Sequence, residues 1–158
     1  MGGIAQAGQR RMIPPVLLAE DDENDVLLIK RAFEKSRLVN SLQVACDGEV
    51  AVAYLSGEGI YRDRVRYPVP VAMLLDLKLP RKSGLEVLAW VKQQPGLKRM
   101  PIIILTSSRE ARDVQQAYDL GVNSYLVKPF TPREFTEMLN SFNVYWLVLN
   151  EPPEIQRR

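Results

Sequence analysis

Three short apolar runs in this chain stop abruptly at charge: Val16-Leu17-Leu18-Ala19 before Asp21 and Asp22, Met73-Leu74-Leu75 before Asp76, and Tyr125-Leu126-Val127 before Lys128. Runs so short and so uniformly apolar do not make amphipathic helices, whose apolar positions recur every three or four residues. They fit strands buried on both faces of a parallel sheet. The carboxyl ends of such strands lie together at the edge where these folds open a ligand crevice. The three acids and the lysine are therefore expected at one edge.

Between the runs the period changes to that of helices. Val26, Leu27, Ile29, Ala32 and Phe33 give Asn24 to Ser36 one apolar side, and Asp22 to Asp25 place negative charge at its positive end. Leu42 to Cys46 reads as a second strand, Asp47-Gly48 as a turn and Glu49 to Leu55 as a short helix. Ser56 to Pro70, with its glycines, prolines and charges, reads as an extended surface loop, a candidate contact peculiar to a subgroup of proteins. Val71 to Leu75, Ile102 to Leu105 and Val122 to Val127 complete the strands, with Ile102 to Leu105 covered on both faces. Helices are expected from about Leu85 until Pro95-Gly96, and over Arg109 to Leu120. A last, long one starts at Thr131 as N-cap and carries Phe135, Met138, Leu139, Phe142, Tyr145, Trp146 and Leu149. This rhythm predicts an α/β fold: a doubly wound, five-stranded parallel sheet of flavodoxin-like order 2-1-3-4-5 with helices on both faces.

The 158 residues suit one domain, assigned to 14–150, between flexible tails at 1–13 and 151–158. Histidine is absent, which excludes histidine bases, histidine-ligated zinc and phosphohistidine on this chain. A net charge of +2 with scattered arginines gives no footprint for nucleic acid, and no apolar stretch is long enough to span a bilayer. The single cysteine, Cys46, is expected as a buried strand thiol, in keeping with a reducing cytoplasm.

Carboxylates converging at one edge repel each other unless a cation neutralises them, and magnesium suits an all-oxygen site. Asp22 and Asp76 are expected as direct ligands, with Asp21 acting through water. A carboxylate between a metal and a lysine can attack phosphorus, which makes Asp76 the candidate nucleophile. Lys128 and the Thr106 hydroxyl would contact phosphoryl oxygens. Taken singly, Asp21-Asp22 would equally cap the following helix, Asp76 open a turn, Thr106 serve as an N-cap and Lys128 be a surface charge. The specificity lies in the set.

Four pieces in order, Leu17-Leu18-Ala19-Glu20-Asp21-Asp22, Leu74-Leu75-Asp76-Leu77-Lys78-Leu79-Pro80, Ile104-Leu105-Thr106-Ser107 and Tyr125-Leu126-Val127-Lys128-Pro129-Phe130, resemble the receiver domain of two-component response regulators over roughly Val16 to Phe142. The resemblance implies that Asp76 is the phosphoacceptor and that Asp21, Asp22, Asp76 and the backbone carbonyl of Lys78 hold Mg2+. It further implies that Thr106 and Tyr125 form a switch and that Lys128 contacts the phosphate ahead of a cis peptide to Pro129. The loop before the third strand, Arg81-Lys82-Ser83-Gly84 and Tyr145-Trp146-Leu147 look like single-domain regulators paired with phytochrome-type histidine kinases. Some of those form homodimers, and Trp146 would then sit at the interface or on its own domain.

The function expected from this is a stand-alone response regulator, not an enzyme. A sensor histidine kinase donates phosphate to Asp76, and a changed surface reaches a downstream target or phosphotransfer protein. Lys78 and Ser108 are expected beside the path of the water that removes the phosphate. Two other classes fit the residues less well. A magnesium phosphohydrolase of the haloacid-dehalogenase type needs an acid where Lys78 stands, and a scaffold that never accepts phosphate has no use for the acidic set.

Overall fold

The computed structural model describes residues 13–35, 40–149, 151–153 and 155; the expected tail 1–13 lies outside them except for Ile13, as do Ser36 and the last residues of the chain. Five parallel strands, β1 (Val16–Ala19), β2 (Leu42–Ala45), β3 (Ala72–Leu75), β4 (Ile102–Thr106) and β5 (Ser124–Val127), pair in the order β2-β1-β3-β4-β5. The helices are α1 (Glu23–Lys35), α2 (Gly48–Ser56), α3 (Gly84–Gln93), α4 (Ala111–Asp119) and α5 (Pro132–Phe142). This is the flavodoxin-like arrangement expected from the alternating pattern.

Strand side chains divide by the period of two. Leu17, Ala19, Met73, Leu75, Ile102 and Ile104 enter one core with Ala51, Tyr54, Val87, Leu88 and Val91 of α2 and α3. Val16, Leu18, Leu74, Ile103 and Leu105 enter the other with Ile29, Phe33, Phe135, Leu139 and Phe142 of α1 and α5. Burial on both faces explains why the central strands carry no polar alternation. Four of the helix starts follow side-chain capping chemistry, with Asp22 before α1 and Asp47, which accepts from Val50 N at 2.7 Å, before α2. Ser83 and Glu86 cap α3 reciprocally, and the Thr131 hydroxyl accepts from Glu134 N at 3.2 Å before α5.

Several expectations need correction. Cys46 is exposed, because β2 ends one residue earlier at Ala45 and the chain bends toward α2. Leu27 faces solvent at 47% exposure, since Ile29, Ala32 and Phe33 already define the buried stripe of α1. The segment after α2 is not an extended loop. It contains a 3-10 turn at Gly59–Arg62, and Tyr61 and Tyr67 pack on Tyr54 with ring centroids 5.0 and 6.0 Å away. Arg64 fastens it by donating to Tyr54 O, Leu55 O and Tyr67 O at 2.8, 2.9 and 3.2 Å, which ties the last turn of α2 to the segment that follows. The long last helix is α-helical only to Phe142 and continues as a wider π-helix over Asn143–Leu149. Trp146 packs on the core shared by α1 and α5, while Tyr145 is exposed. In the C-terminal segment Ile155 rests against the opposite core. The Lys128–Pro129 peptide is trans, the isomer that X–Pro bonds favour by about 0.5–1 kcal/mol.

Candidate functional site

Register builds the site. Ala19 pairs with Leu75, so the next residues, Glu20 and Asp76, emerge level with each other at the carboxyl edge. On the far side of β4, Thr106 pairs with Val127, and Lys128 N donates to Thr106 O at 2.8 Å, which aims the lysine across the ends of the strands. Lys128 Nζ donates to Asp76 Oδ2 at 2.9 Å, to Asp25 Oδ2 at 2.8 Å and to Glu20 Oε1. An ammonium has three donors, so all three are used. The Lys128 side chain is only 9% exposed.

Carboxylate oxygens of Glu20, Asp21 and Asp76 lie within 4.8 Å of one another. Asp22 is not in this group. Its Oδ1 accepts from Asn24 N and Asp25 N at 2.9 and 3.0 Å, making it the N-cap of α1 and turning it away from the cluster. The structure thus brings Asp21, Asp76 and Lys128 together as expected, leaves Asp22 out and supplies Glu20 in its place.

Burial is the largest influence on Asp76 and by itself would raise its pKa, but hydrogen bonding with Glu20 and the Lys128 charge outweigh it and hold the group below the usual carboxylate range. Glu20 goes the other way, pushed up by burial and by the neighbouring Asp76. Lys128 is raised despite burial because carboxylates surround it. Asp76 is therefore the ionised member of the buried pair. With one ammonium facing Glu20, Asp25 and Asp76, and Asp21 close by, the donor set is hard, oxygen-only and short of positive charge, which fits a magnesium-like cation.

Two glycines bring backbone to this edge. A Cβ on Gly84 would lie 2.1 Å from Asp76 O, so the first turn of α3 sits directly on the phosphoacceptor candidate's peptide. One on Gly48 would meet Lys82 O at 1.9 Å, where the loop after Asp76 leans on the start of α2. The Lys78 side chain is exposed, while its N donates to Asp76 Oδ1 at 3.1 Å, so the Lys78 peptide borders the carboxylate.

Thr106 is fully buried at the end of β4 and caps nothing, since α4 starts later, at Ala111 with Glu110 as its N-cap. Ser108 N approaches Thr106 Oγ1 at 3.4 Å, and the Tyr125 hydroxyl donates to Ser108 O at 2.9 Å. Thr106 and Tyr125 are thus joined through the loop between them. Ser108 spends its hydroxyl on Asp113 Oδ2 at 2.5 Å, an engagement with α4 that its expected place beside the water path did not foresee.

The family profile described as "Response regulator receiver domain" matches residues 16–140. The chain belongs to this family. The response regulator Rcp1 of Synechocystis sp. is 39% identical over 136 residues, covering 85% of this chain and 90% of Rcp1. The Mn(2+)-bound form of Rcp1 superposes with a TM-score of 0.84 at 37% identity, covering 90% of this chain and 100% of that one. The phosphorylated cyanobacterial phytochrome response regulator RcpA gives 0.85 at 34% identity with the same coverage, 90% and 100%.

Within this receiver domain, sequence reasoning missed Glu20 and Asp25. Glu20 carried a signal: it is the first charged residue after its apolar run, as Asp76 and Lys128 are after theirs. Asp25 carried a weaker one, standing four residues after Asp21 and hence on the same side of the chain once α1 begins.

Proposed function

We propose that this receiver domain takes a phosphoryl group from the phosphohistidine of a sensor kinase onto Asp76. The supporting observation is the contact of Lys128 Nζ with Asp76 Oδ2 at 2.9 Å beside the Glu20, Asp21 and Asp76 group. An Asp76 carboxylate oxygen attacks phosphorus, the P–N bond to the kinase imidazole breaks, and the imidazole keeps the electron pair and takes up a proton. Lys128 transfers one N–H from the carboxylate to a phosphoryl oxygen, and the Thr106 hydroxyl approaches another. Mg2+ would be held by Asp21, Asp76 and the Lys78 carbonyl, with Glu20 adjoining, and would supply positive charge against the phosphoryl oxygens.

Movement of Thr106 toward the phosphoryl group carries the loop through Ser108 and with it the hydroxyl contact of Tyr125, altering the surface of α4 and β5. That surface is the output, read by a downstream target or phosphotransfer protein. A phytochrome-type kinase is the proposed donor, because RcpA is a phytochrome response regulator and RtBRR, 45% identical, is a bacteriophytochrome response regulator.

The test is intact-mass analysis after incubation with acetyl phosphate and magnesium. The native chain gains one phosphate and Asp76→Asn gains none. Equal gain in the two, or none in the native chain, overturns the proposal.

A further inference from the structure

Lys128 has a third acceptor that the acidic set does not need. Asp25 Oδ2 lies 2.8 Å from Lys128 Nζ, yet Asp25 is absent from the group of carboxylates close enough to share a cation. It stands in the first turn of α1, which is capped by Asp22 and anchored in the core by Ile29, Ala32 and Phe33. The other two acceptors of Lys128, Glu20 and Asp76, both belong to the cation group.

We propose that Asp25 is a positioning residue for phosphoryl transfer. It holds the Lys128 ammonium at the strand edge while the lysine's other bonds are exchanged. The inference rests on Asp76 as phosphoacceptor. When Asp76 takes the phosphoryl group its carboxylate charge is lost, and Glu20 with its neighbours would serve to hold a cation, so two of the three carboxylates that fix Nζ change their engagement. Asp25 has neither task. It keeps one N–H occupied and the four-carbon stem extended, leaving the freed N–H groups directed at the incoming phosphoryl oxygens. A lysine is a flexible point charge and gains its directionality from such partners. An ordinary surface pair would do little of this, but the Lys128 side chain is 9% exposed and Asp25 25%.

Phosphate uptake from acetyl phosphate, at saturating magnesium, is measured for the native chain, Asp25→Asn, Asp25→Glu, Lys128→Ala and the Asp25→Asn/Lys128→Ala double variant. Asp25→Asn is expected to slow uptake roughly tenfold, the scale of a small misplacement of a reacting group. Asp25→Glu, which restores the charge, recovers part of the rate. In the Lys128→Ala background, Asp25→Asn has no further effect on the residual rate, because the group it positions is gone. Asp25→Asn within twofold of native, or a loss that adds in full to that of Lys128→Ala, overturns the inference while the phosphoacceptor reading stands. No uptake by the native chain overturns both.

Discussion

Replacing Gly84 with alanine tests how closely the site is built onto α3. The new methyl would stand 2.1 Å from Asp76 O and 2.6 Å from Leu77 Cα, where ordinary contact begins at 3.4 Å. Both neighbours are backbone, so no side chain can rotate away. The first turn of α3 and the peptide after β3 must separate by roughly an ångström, which also strains the Gly84 N to Leu77 O hydrogen bond of 2.9 Å. Overpacking costs about 1–3 kcal/mol and the weakened hydrogen bond about 1 more, offset by at most about 1 kcal/mol of better helix propensity. A net loss of about 1–3 kcal/mol lowers the thermal midpoint by roughly 2–12 °C for a chain this size. Because the displaced peptide is that of Asp76 itself, phosphate uptake falls further than stability does, by up to roughly a hundredfold for an ångström of misplacement. Thermal unfolding and uptake from acetyl phosphate measure the two effects. An Ala variant with native midpoint and native uptake would refute the argument.

Three further outcomes follow from the site. Glu20→Gln weakens magnesium binding at least about tenfold by removing a charge from the cluster, whereas Asp22→Asn changes it little; Asp22→Ala, losing the cap of α1, costs about 1 kcal/mol in urea unfolding. The reverse ranking in a magnesium titration would restore Asp22 as the ligand. Glu20 is raised to about 8, so the free protein holds a proton there that the unfolded chain has released above about 4.5. Its contribution to stability is thus complete below about 4.5 and lost as pH rises through about 8. Cation binding favours the charged form and must expel that proton, so magnesium affinity rises with pH between these values, by at most about tenfold per unit. Calorimetry in buffers of different ionisation enthalpy shows the released proton, and a pH-independent affinity would contradict it. Tyr125→Phe removes the bond to Ser108 O and destabilises the chain by about 1 kcal/mol, with phosphate uptake by Asp76 unchanged. A large fall in uptake would show that Tyr125 acts at the site itself.

The fold was legible because uniformly apolar runs admit few other arrangements: strands with no polar face must be covered twice, and parallel pairing then requires the crossovers that α1 to α4 supply. The edge was legible for the same reason, since each apolar run ends in a charged residue that only a paired, mutually neutralising cluster can hold in place. What the sequence hid was geometry finer than one residue. Glu20 and Asp22 are both acids near the end of β1, and only the pairing of Ala19 with Leu75 shows that Glu20 is level with Asp76 while Asp22 has already turned to cap α1. Asp25 depends on where α1 crosses the sheet edge, a tertiary matter that no local pattern encodes. The aromatic packing of Tyr54, Tyr61 and Tyr67 was hidden differently, because glycines, prolines and charges between them signal an open loop whereas the rings pull it onto α2. Cys46 shows how a boundary shifted by one residue exchanges a buried thiol for an exposed one.

The proposed phosphoryl transfer ends on a single carboxylate, and reduction of the acyl phosphate with borohydride, which converts a phosphorylated aspartate to homoserine, reads out that carboxylate directly. After phosphorylation by acetyl phosphate and reduction, peptide mass mapping is expected to find homoserine at position 76 alone. Homoserine at position 21 or 22, or phosphate uptake with Asp76 unaltered, would contradict the assignment.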